Sequence, residues 1–374
     1  MFIRRIELAD FRNYEGLNIE LHPNTNILYG DNAQGKTNLL EAIYLCSTTR
    51  SHRGVKDRDL IRFGCNEAHL KMLLSKNDSN YRIDMHLKKS KNKGIAVNSV
   101  PIKSSAELIG ITNIVFFAPE DLLIIKNGPV ERRRFLNMEL SQIDRVYLGN
   151  LMNYNKVLAE RNNIVRELGE KGHSGFEGML EVYEEQLQTY GERIIRIRES
   201  FVEELNGIIE KIHEDLTEGK EELHVSYEKS LEAERIAEDL FMNRERDIRN
   251  RTTSAGPHRD DLCFQLTAKG GRTIDVRRFG SQGQQRSTAI SLKLSEIEQV
   301  KRRTGESPIL LLDDVMSELD RGRQKQLLEG IGGIQTIITC TGLDHFLTED
   351  FKVDRIFSVE NGTIRQIQQG KIGG

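Results

Sequence analysis

The chain contains no apolar run near the roughly 20 residues that a membrane-spanning helix needs. Its first residues alternate like a strand and lack the apolar core of a signal peptide. The cysteines, Cys46, Cys65, Cys263 and Cys340, form no C-x-x-C pair and have no spacing typical of metal ligands. These absences argue against a membrane protein and a disulfide scaffold, and they favour a cytoplasmic protein with reduced thiols.

Neither sign of charge dominates the whole chain, because the formal net charge of the 374 residues is only −3. The charges are nevertheless unevenly distributed along it. Residues 151–250 carry 14 Lys or Arg against 24 Asp or Glu, whereas residues 50–103 carry 13 against 5. This asymmetry predicts a polyanionic partner for the basic region alone. The alternative is that the basic residues form a solvated rim of hairpins.

The middle of the chain has a helical pattern that differs from its surroundings. Apolar residues recur every three or four positions from Leu180 to Ile212, and a weaker version runs from Tyr147 to Leu168. Four glycines within residues 169–178 separate the two patterns. We predict an acidic helical hairpin, either coiled-coil-like or an ordinary helical subdomain. Strand patterns occupy residues 2–8, 17–28, 68–75, 81–88, 95–98 and 113–117, and they return after Ser254.

A glycine-rich segment, Gly30–Thr37, fits the pattern G-x-x-x-x-G-K-[ST] between a predicted strand and a predicted helix. Backbone N–H groups of such a loop surround nucleotide phosphates. Lys36 is expected to neutralise the β and γ phosphates, and Thr37 to offer its hydroxyl to Mg²⁺. The predicted nucleotide-binding residues of this segment are Gly30, Asp31, Asn32, Ala33, Gln34, Gly35, Lys36, Thr37 and Asn38.

Two carboxylates, Asp313 and Asp314, follow four apolar residues and are expected at the carboxyl end of a central parallel strand. Asp313 is predicted to hold Mg²⁺ through its water shell. Asp314 is predicted to orient or deprotonate the water that attacks the γ-phosphate.

A third segment, Ser281–Gln285, precedes this acidic strand and resembles the Leu-Ser-Gly-Gly-Gln signature of ABC-type ATPases. A hydroxyl and backbone N–H groups at a helix start can contact a γ-phosphate. Ser281, Gly283 and Gln284 are the predicted contacts. Ser317–Asp320 resembles the Ser-Ala-Leu-Asp loop of the same ATPases, so Asp320 is added to the nucleotide site.

Together with further segments, these motifs resemble the RecF family of bacterial recombination-repair ATPases, short relatives of the SMC class. The resemblance covers nearly the full length and includes Thr49–Arg53, Phe117–Leu122, Arg132–Asn137, Gly256–Asp261 and Gly280–Arg286. It implies an α/β, ABC-type P-loop ATPase head, with β-sheets and flanking helices, interrupted by a short coiled-coil-like arm. The predicted domains are residues 1–118 and 252–374 for the two lobes of the head, and 119–251 for the arm.

The resemblance also implies a function. Proteins of this family bind ATP and Mg²⁺, form ATP-dependent homodimers, and bind double-stranded and gapped DNA. They act with RecO and RecR to place RecA at single-strand gaps. In the ABC superfamily, the signature segment contacts the nucleotide held by the opposite subunit, with Lys36, Ser281 and Asp314 at the catalytic positions here.

The chain departs from the general ABC pattern at three positions. Asp314 stands where a glutamate is usual, so hydrolysis is expected to be slow. Cys340 and Thr341 stand where a switch histidine is usual, and His345 comes later. Glu120 lies in the region where a glutamine is usual. One alternative to the leading hypothesis is the ATPase subunit of an ABC transporter, but such subunits carry the usual glutamate and switch histidine. The other alternative is a scaffold that binds ATP without turnover.

Basic residues near predicted turns and helix ends are the candidates for DNA contacts. One set lies on a strand–turn–strand edge and the other starts the helical arm. Each set has an ordinary alternative, namely a solvated loop for the first and ion pairing with acidic residues for the second. The candidates are Lys88, Lys89, Lys91, Lys93, Arg132, Arg133 and Arg134.

Overall fold

A computed structural model describes residues 1–171, 177–343 and 352–367 of the chain. Its internal contacts separate two units. The head unit comprises residues 1–121 and 296–374, and the arm unit comprises residues 122–295. Among the described residues, no helix is long and apolar enough to span a membrane.

The described residues form fifteen strands and ten α-helices. The strands are β1 (Phe2–Phe11), β2 (Tyr14–Glu20), β3 (Thr25–Tyr29), β4 (Glu67–Lys76), β5 (Ser79–Lys88), β6 (Gly94–Val97), β7 (Val100–Pro101), β8 (Ile114–Phe117), β9 (Glu221–Glu228), β10 (Asp261–Ala268), β11 (Thr273–Asp275), β12 (Ile309–Asp313), β13 (Thr336–Cys340), β14 (Arg355–Glu360) and β15 (Thr363–Ile367). The helices are α1 (Lys36–Thr48), α2 (Leu122–Lys126), α3 (Pro129–Ile143), α4 (Arg145–Lys171), α5 (Glu177–Thr217), α6 (Ile236–Met242), α7 (Arg244–Asn250), α8 (Val276–Phe279), α9 (Gln282–Thr304) and α10 (Arg321–Gly330).

The first sheet of the head unit is antiparallel in all of its pairings and has the strand order β2-β1-β4-β5-β6-β7. Alternate residues of β4 are buried, which is typical of a sheet with one face toward the core. The other face of β4 and β5 carries polar side chains, including His69 and His86.

The second sheet of the head unit has the order β15-β14-β3-β13-β12-β8 and is parallel except for the β14–β15 pair. All residues of β8, β12 and β13 are buried, as expected for strands covered on both faces. The neighbouring strands β3, β13 and β12 all end at the same edge of the sheet, because parallel strands share their direction. The segments following these three strands are therefore brought together.

The arm unit is built around the antiparallel helices α4 and α5. Near the far end of α4, Ile164, Val165 and Leu168 pack with Leu180 in a small separate cluster. Closer to the base, α5 packs instead against strands and several helices in the larger core of the unit. The hairpin therefore packs through two separate clusters, one small cluster toward its far end and the larger core of the arm unit at its base. The end of α4 at Lys171 and the start of α5 at Glu177 both fall within the glycine-rich segment predicted to separate the two helices.

The three-stranded sheet of the arm unit includes strands from late in the chain, and this sets the C-terminal boundary of the unit. Its order is β11-β10-β9, and β10 pairs with β9 over eight residues, so that Leu262 lies opposite Tyr227. These apolar strand faces join the core formed by α5. Residues 252–295 consequently group with the arm, whereas the sequence-based boundary assigned them to the head. The first boundary, after residue 121, lies three residues from the predicted one.

Candidate functional site

The glycine-rich loop connects the end of β3 to the start of α1, and two of its glycines are required by close contacts. Gly30 has a φ of 153°, and a Cβ built there would lie 2.3 Å from the carbonyl oxygen of Val359. Gly35 has a φ of 117°, and its Cβ would lie 2.6 Å from Nδ2 of Asn13. Any larger residue at either position would strain the loop. The strand–loop–helix arrangement expected for a phosphate-binding loop is thus present.

Lys36 is held inside this loop. Its Nζ donates to the carbonyl oxygens of Gly30, at 2.6 Å, and Asp31, at 2.7 Å, and the residue is only 6% exposed. Burial lowers the pKa of Lys36, while the nearby carboxylate of Asp314 opposes that shift. These carbonyl oxygens accept hydrogen bonds that phosphate oxygens could accept instead, so the ammonium group is placed to meet an anion at the start of α1.

Thr37, on the first turn of α1, connects the loop to the acidic strand. Its Oγ1 donates to Oδ1 of Asp313 at 2.8 Å, and Oγ1 of Thr339 donates to the same oxygen at 2.7 Å. Asp313 is 7% exposed, and burial raises its pKa although both hydroxyls oppose the shift. A buried carboxylate beside a threonine hydroxyl is a donor set that fits Mg²⁺, which prefers oxygen ligands and retains water.

Asp314 follows in a left-handed backbone conformation, with a φ of 52°. Its N–H donates to Oγ1 of Thr339 at 2.9 Å, and its carbonyl oxygen accepts from Oγ of Ser317 at 2.7 Å. Aspartate tolerates this conformation better than most residues. The turn therefore points successive carboxylates in different directions, with Asp313 against Thr37 and Asp314 half-buried beside it.

Thr339 is a site residue that the sequence reasoning missed. Its single hydroxyl group binds Asp313 and the backbone of Asp314, because parallel pairing places it directly opposite Asp313. A polar residue in the otherwise apolar end of β13 was the available signal. We assign Thr339 as a positioning residue for both carboxylates.

Two more charged residues influence Asp313. The charge of Arg53 lowers the pKa of the Asp313 carboxyl, and that of Glu120 raises it, although burial is the largest cause. The segment containing Arg53 is tied to α1, because Ser51 and Arg12 both donate to the carboxylate of the buried Glu41. Arg53 itself is exposed, and nothing in its sequence position predicts an individual role.

In the arm unit, Ser281 begins α9. The N–H of Gln284 donates to Oγ of Ser281 at 3.2 Å, and the N–H of Ser281 donates to Oε1 of Gln284 at 2.8 Å. This reciprocal pair stabilises the start of a 23-residue helix whose N-terminus carries partial positive charge. Ser281 and Gln282 are exposed and Gly283 is half-buried. The predicted signature segment thus presents a helix start that an anion can reach.

Other predicted site residues have local roles in the head unit. Asp320 begins α10 by accepting from the N–H of Arg323 at 3.0 Å, and this hydrogen bond lowers the pKa of its carboxyl. Asn38 donates to Oδ1 of Asn13 at 2.8 Å, and Asn13 in turn donates to the carbonyl oxygen of Gln34. His345 lies outside the described residues.

The basic residues proposed for DNA divide clearly by their surroundings. Arg132 is 1% exposed and binds both carboxylate oxygens of Asp261, at 2.6 and 2.9 Å, so its predicted phosphate contact is wrong. Arg133 donates to the carbonyl oxygen of Asp260 and is half-buried. An arginine-rich helix start pairing with acidic residues is what the structure shows here.

The lysines at and near the β5–β6 turn are more exposed to solvent than Arg132. Lys93 donates hydrogen bonds to Asp57 and to the carbonyl oxygen of Thr49, and these bonds stabilise the turn. Lys89 and Lys91 are exposed, and Lys88 is half-buried. Arg134 is also exposed, on the solvent side of α3. Of the lysines predicted to contact DNA in this region, Lys89 and Lys91 are the most exposed, followed by the half-buried Lys88.

Comparison with known proteins agrees with this architecture. A family model of the RecF/RecN/SMC N-terminal domain matches residues 2–365. The DNA replication and repair protein RecF of Lachnoclostridium phytofermentans is 52% identical over 366 residues, which cover 98% of this chain and 100% of that protein. RecF of Clostridium perfringens strain 13 is 42% identical over 370 residues, with coverage of 98% and 100%.

Solved structures give the same result. A structure of the recombination mediator protein RecF with ATP in the RecFOR pathway has a TM-score of 0.89 at 36% identity, and covers 98% of each chain. The Smc head domain of Pyrococcus furiosus has a TM-score of 0.57 at 16% identity, covering 98% of this chain and 96% of that chain, and shares the fold. Fold and site therefore define a P-loop ATPase head of the ABC/SMC type. Within that class, the chain belongs to the RecF family of DNA replication and repair proteins.

Proposed function

We propose that this protein is an ATP-switched, DNA-binding repair protein. It binds ATP with Mg²⁺, closes into a head-to-tail homodimer, and holds duplex DNA near single-strand gaps, where it acts with RecO and RecR in loading RecA. Slow hydrolysis of ATP then releases the clamp. The observation that carries the proposal is the meeting of Lys36, Thr37, Asp313 and Asp314 at one edge of the parallel sheet.

The residues of this edge have distinct tasks. Lys36 and the loop N–H groups bind the phosphates, and this brings the γ-phosphate to the end of β12. Thr37 and Asp313 would hold Mg²⁺, which neutralises phosphate charge during phosphoryl transfer. Thr339 keeps Asp313 and Asp314 in their relative orientation.

Asp314 supplies the base for hydrolysis. It takes a proton from a water molecule as the water oxygen bonds to the γ-phosphorus, and the bond to the β–γ bridging oxygen breaks, which leaves ADP and inorganic phosphate. The aspartate side chain is one methylene shorter than glutamate, so the water is held less well. Slow hydrolysis fits a role in setting how long the dimer stays closed, and it does not fit repeated ATP-driven movement.

The signature segment of one chain would meet the nucleotide of the other. Ser281 is exposed, and the N-terminus of α9 favours negative charge. ATP would thus act as the ligand that joins two chains, because each nucleotide needs a loop from one chain and a helix start from its partner.

Ser281→Arg tests this function. We expect ATP binding to the single chain to stay near that of the parent. ATP-driven dimerisation should weaken by at least about 100-fold, because a cation added at the partly positive N-terminus of α9 is a like-charge placement, and such a mismatch at an interface costs several kcal/mol. Light scattering and a nucleotide-binding titration measure the two quantities separately. Ser281→Thr is the matched control, because it keeps the hydroxyl and the helix cap. Normal dimerisation of Ser281→Arg with ATP would show that the signature does not act between chains.

DNA binding is proposed for the basic turn between β5 and β6. Reversal of Lys88, Lys89 and Lys91 to Glu should weaken duplex binding equally for all sequences, and should reduce the salt slope by about 3, one for each phosphate contact. Fluorescence anisotropy over a range of salt concentrations measures both effects. The control reverses Lys156, Lys211 and Lys220, exposed lysines of the arm unit, with the same change in net charge. Equal losses in the two variants would assign the effect to net charge alone.

A further inference from the structure

The solvent-facing side of β4 and β5 carries two histidines and a glutamate that the proposed ATPase cycle does not use. Strand pairing places His69 directly opposite His86, and Glu67 lies two residues before His69 on the same face. The imidazole rings stack with centroids 4.0 Å apart and an interplanar angle of 25°. Cross-strand neighbours of this kind can bind one ligand together, because their Cβ atoms are about 5 Å apart.

The potential ligand atoms are already close. Nε2 of His86 lies 2.8 Å from Oε2 of Glu67, and Nε2 of His69 lies 3.9 Å from Oε1 of the same carboxylate. One ligand atom from each residue falls within 4.8 Å of the others. In a tetrahedral zinc site, ligand atoms are about 3.3 Å apart, given bonds of about 2.0–2.1 Å. Rotation of these partly exposed side chains would close the remaining distance without movement of either strand.

The nearby cations Lys71 and Arg82 are paired with carboxylates, whereas Lys88 on β5 lies directly opposite Glu67. Lys71, the next residue along this face of β4, is paired with Glu7 at 3.0 Å, and Arg82 on β5 is paired with Asp84 at 2.8 Å. Glu67 supplies the anionic ligand of the set, because an ionised carboxylate is the form that binds a metal.

We propose that Glu67, His69 and His86 bind a Zn²⁺ ion that joins β4 to β5. Two histidines and one carboxylate form a common zinc ligand set in which the fourth position stays open. Both histidines line a hollow of about 810 Å³ on this face of the sheet, between β2 and β6. Water or an anionic ligand would occupy the fourth position. This site shares no residue with those assigned to ATP and to DNA, although Lys88, which is assigned to DNA, lies directly opposite Glu67.

The test is zinc affinity of the full, tag-free chain after treatment with a chelator. Zn²⁺ is titrated against a chromophoric chelator, in excess Mg²⁺ so that the nucleotide site does not contribute. We expect one tight site per chain in the parent. The double variant His69→Ala/His86→Ala should bind at least about 100-fold more weakly, because even outer-shell changes at metal sites cost 10–100-fold.

Two matched variants and a second measurement make the result decisive. His224→Ala removes another exposed strand histidine, and Cys65→Ser removes the nearest thiol in sequence, so both should keep the parent affinity. Zinc should raise the thermal midpoint of the parent but not of the double variant, while all four chains unfold alike without metal. Absence of a tight site in the parent, equal affinity in the double variant, or loss of affinity in either control would overturn the proposal.

Discussion

Asp314→Asn should slow phosphate release by about 10²–10⁴-fold, the range typical of losing a general base. The amide keeps the size of the side chain but no longer accepts a proton from water. Asparagine also tolerates the left-handed conformation at this position, so the hydrogen bonds to Thr339 and Ser317 should persist. The variant should bind ATP, form the dimer, and hold duplex DNA longer than the parent.

Asp313→Asn is the comparison that separates the two carboxylates. Its side chain would lose the charge that fits Mg²⁺, so the metal-dependent dimer itself should weaken. Dimer lifetime is measured for both variants in parallel with phosphate release, with and without duplex DNA. If Asp314→Asn turns over or dissociates as fast as the parent, hydrolysis by this base is not the release step. Glu120→Gln would then be the next variant, because Glu120 is the other carboxylate that influences Asp313.

Lys36→Ala should lower ATP affinity by about 10²–10³-fold. The ammonium group is the only side-chain charge assigned to the β and γ phosphates, and hydrogen bonds to charged groups contribute about 1.5–3 kcal/mol each. Titration with a fluorescent ATP analogue measures the loss. Dimerisation with ATP should disappear over the same concentration range, since the proposed interface includes the nucleotide.

Lys36→Met is the matched control for this change. It keeps the buried aliphatic stem but removes the donor to Gly30 and Asp31, whereas Lys36→Ala removes both. Equal losses of ATP affinity in the two variants would assign the effect to the charge. Near-parent affinity in the folded methionine variant would contradict the assigned site. Thermal unfolding without nucleotide shows whether either variant alters the loop itself.

Much of the candidate site was predictable because its information is local. The phosphate loop is one continuous segment, so its glycines, Lys36 and the following helix formers are all visible in eight to fifteen residues. Asp313 was predictable for a related reason, since an apolar run ending in an acid is typical of the end of a buried parallel strand. The family resemblance and the interrupted α/β fold followed from the order of such segments.

Residues that act through distant partners were not predictable in the same way. The role of Thr339 depends on β13 lying beside β12 in one register, and a shift of one residue would turn the hydroxyl away. Arg132 looked available for DNA because its carboxylate partner, Asp261, lies 129 residues further along the chain. The pairing of β10 with β9 likewise moved residues 252–295 into the arm unit.

The sequence by itself therefore determined the family, the phosphate loop, the acidic strand and the helical hairpin. Tertiary structure alone decided which polar groups meet, namely Asp313 with Thr339, Arg132 with Asp261, and His69 with His86. The physical reason is the sequence separation over which each kind of interaction acts. Backbone conformation and hydrophobic periodicity are set by neighbours within a few residues, whereas a hydrogen bond or ligand set across strands requires the complete register of the sheet.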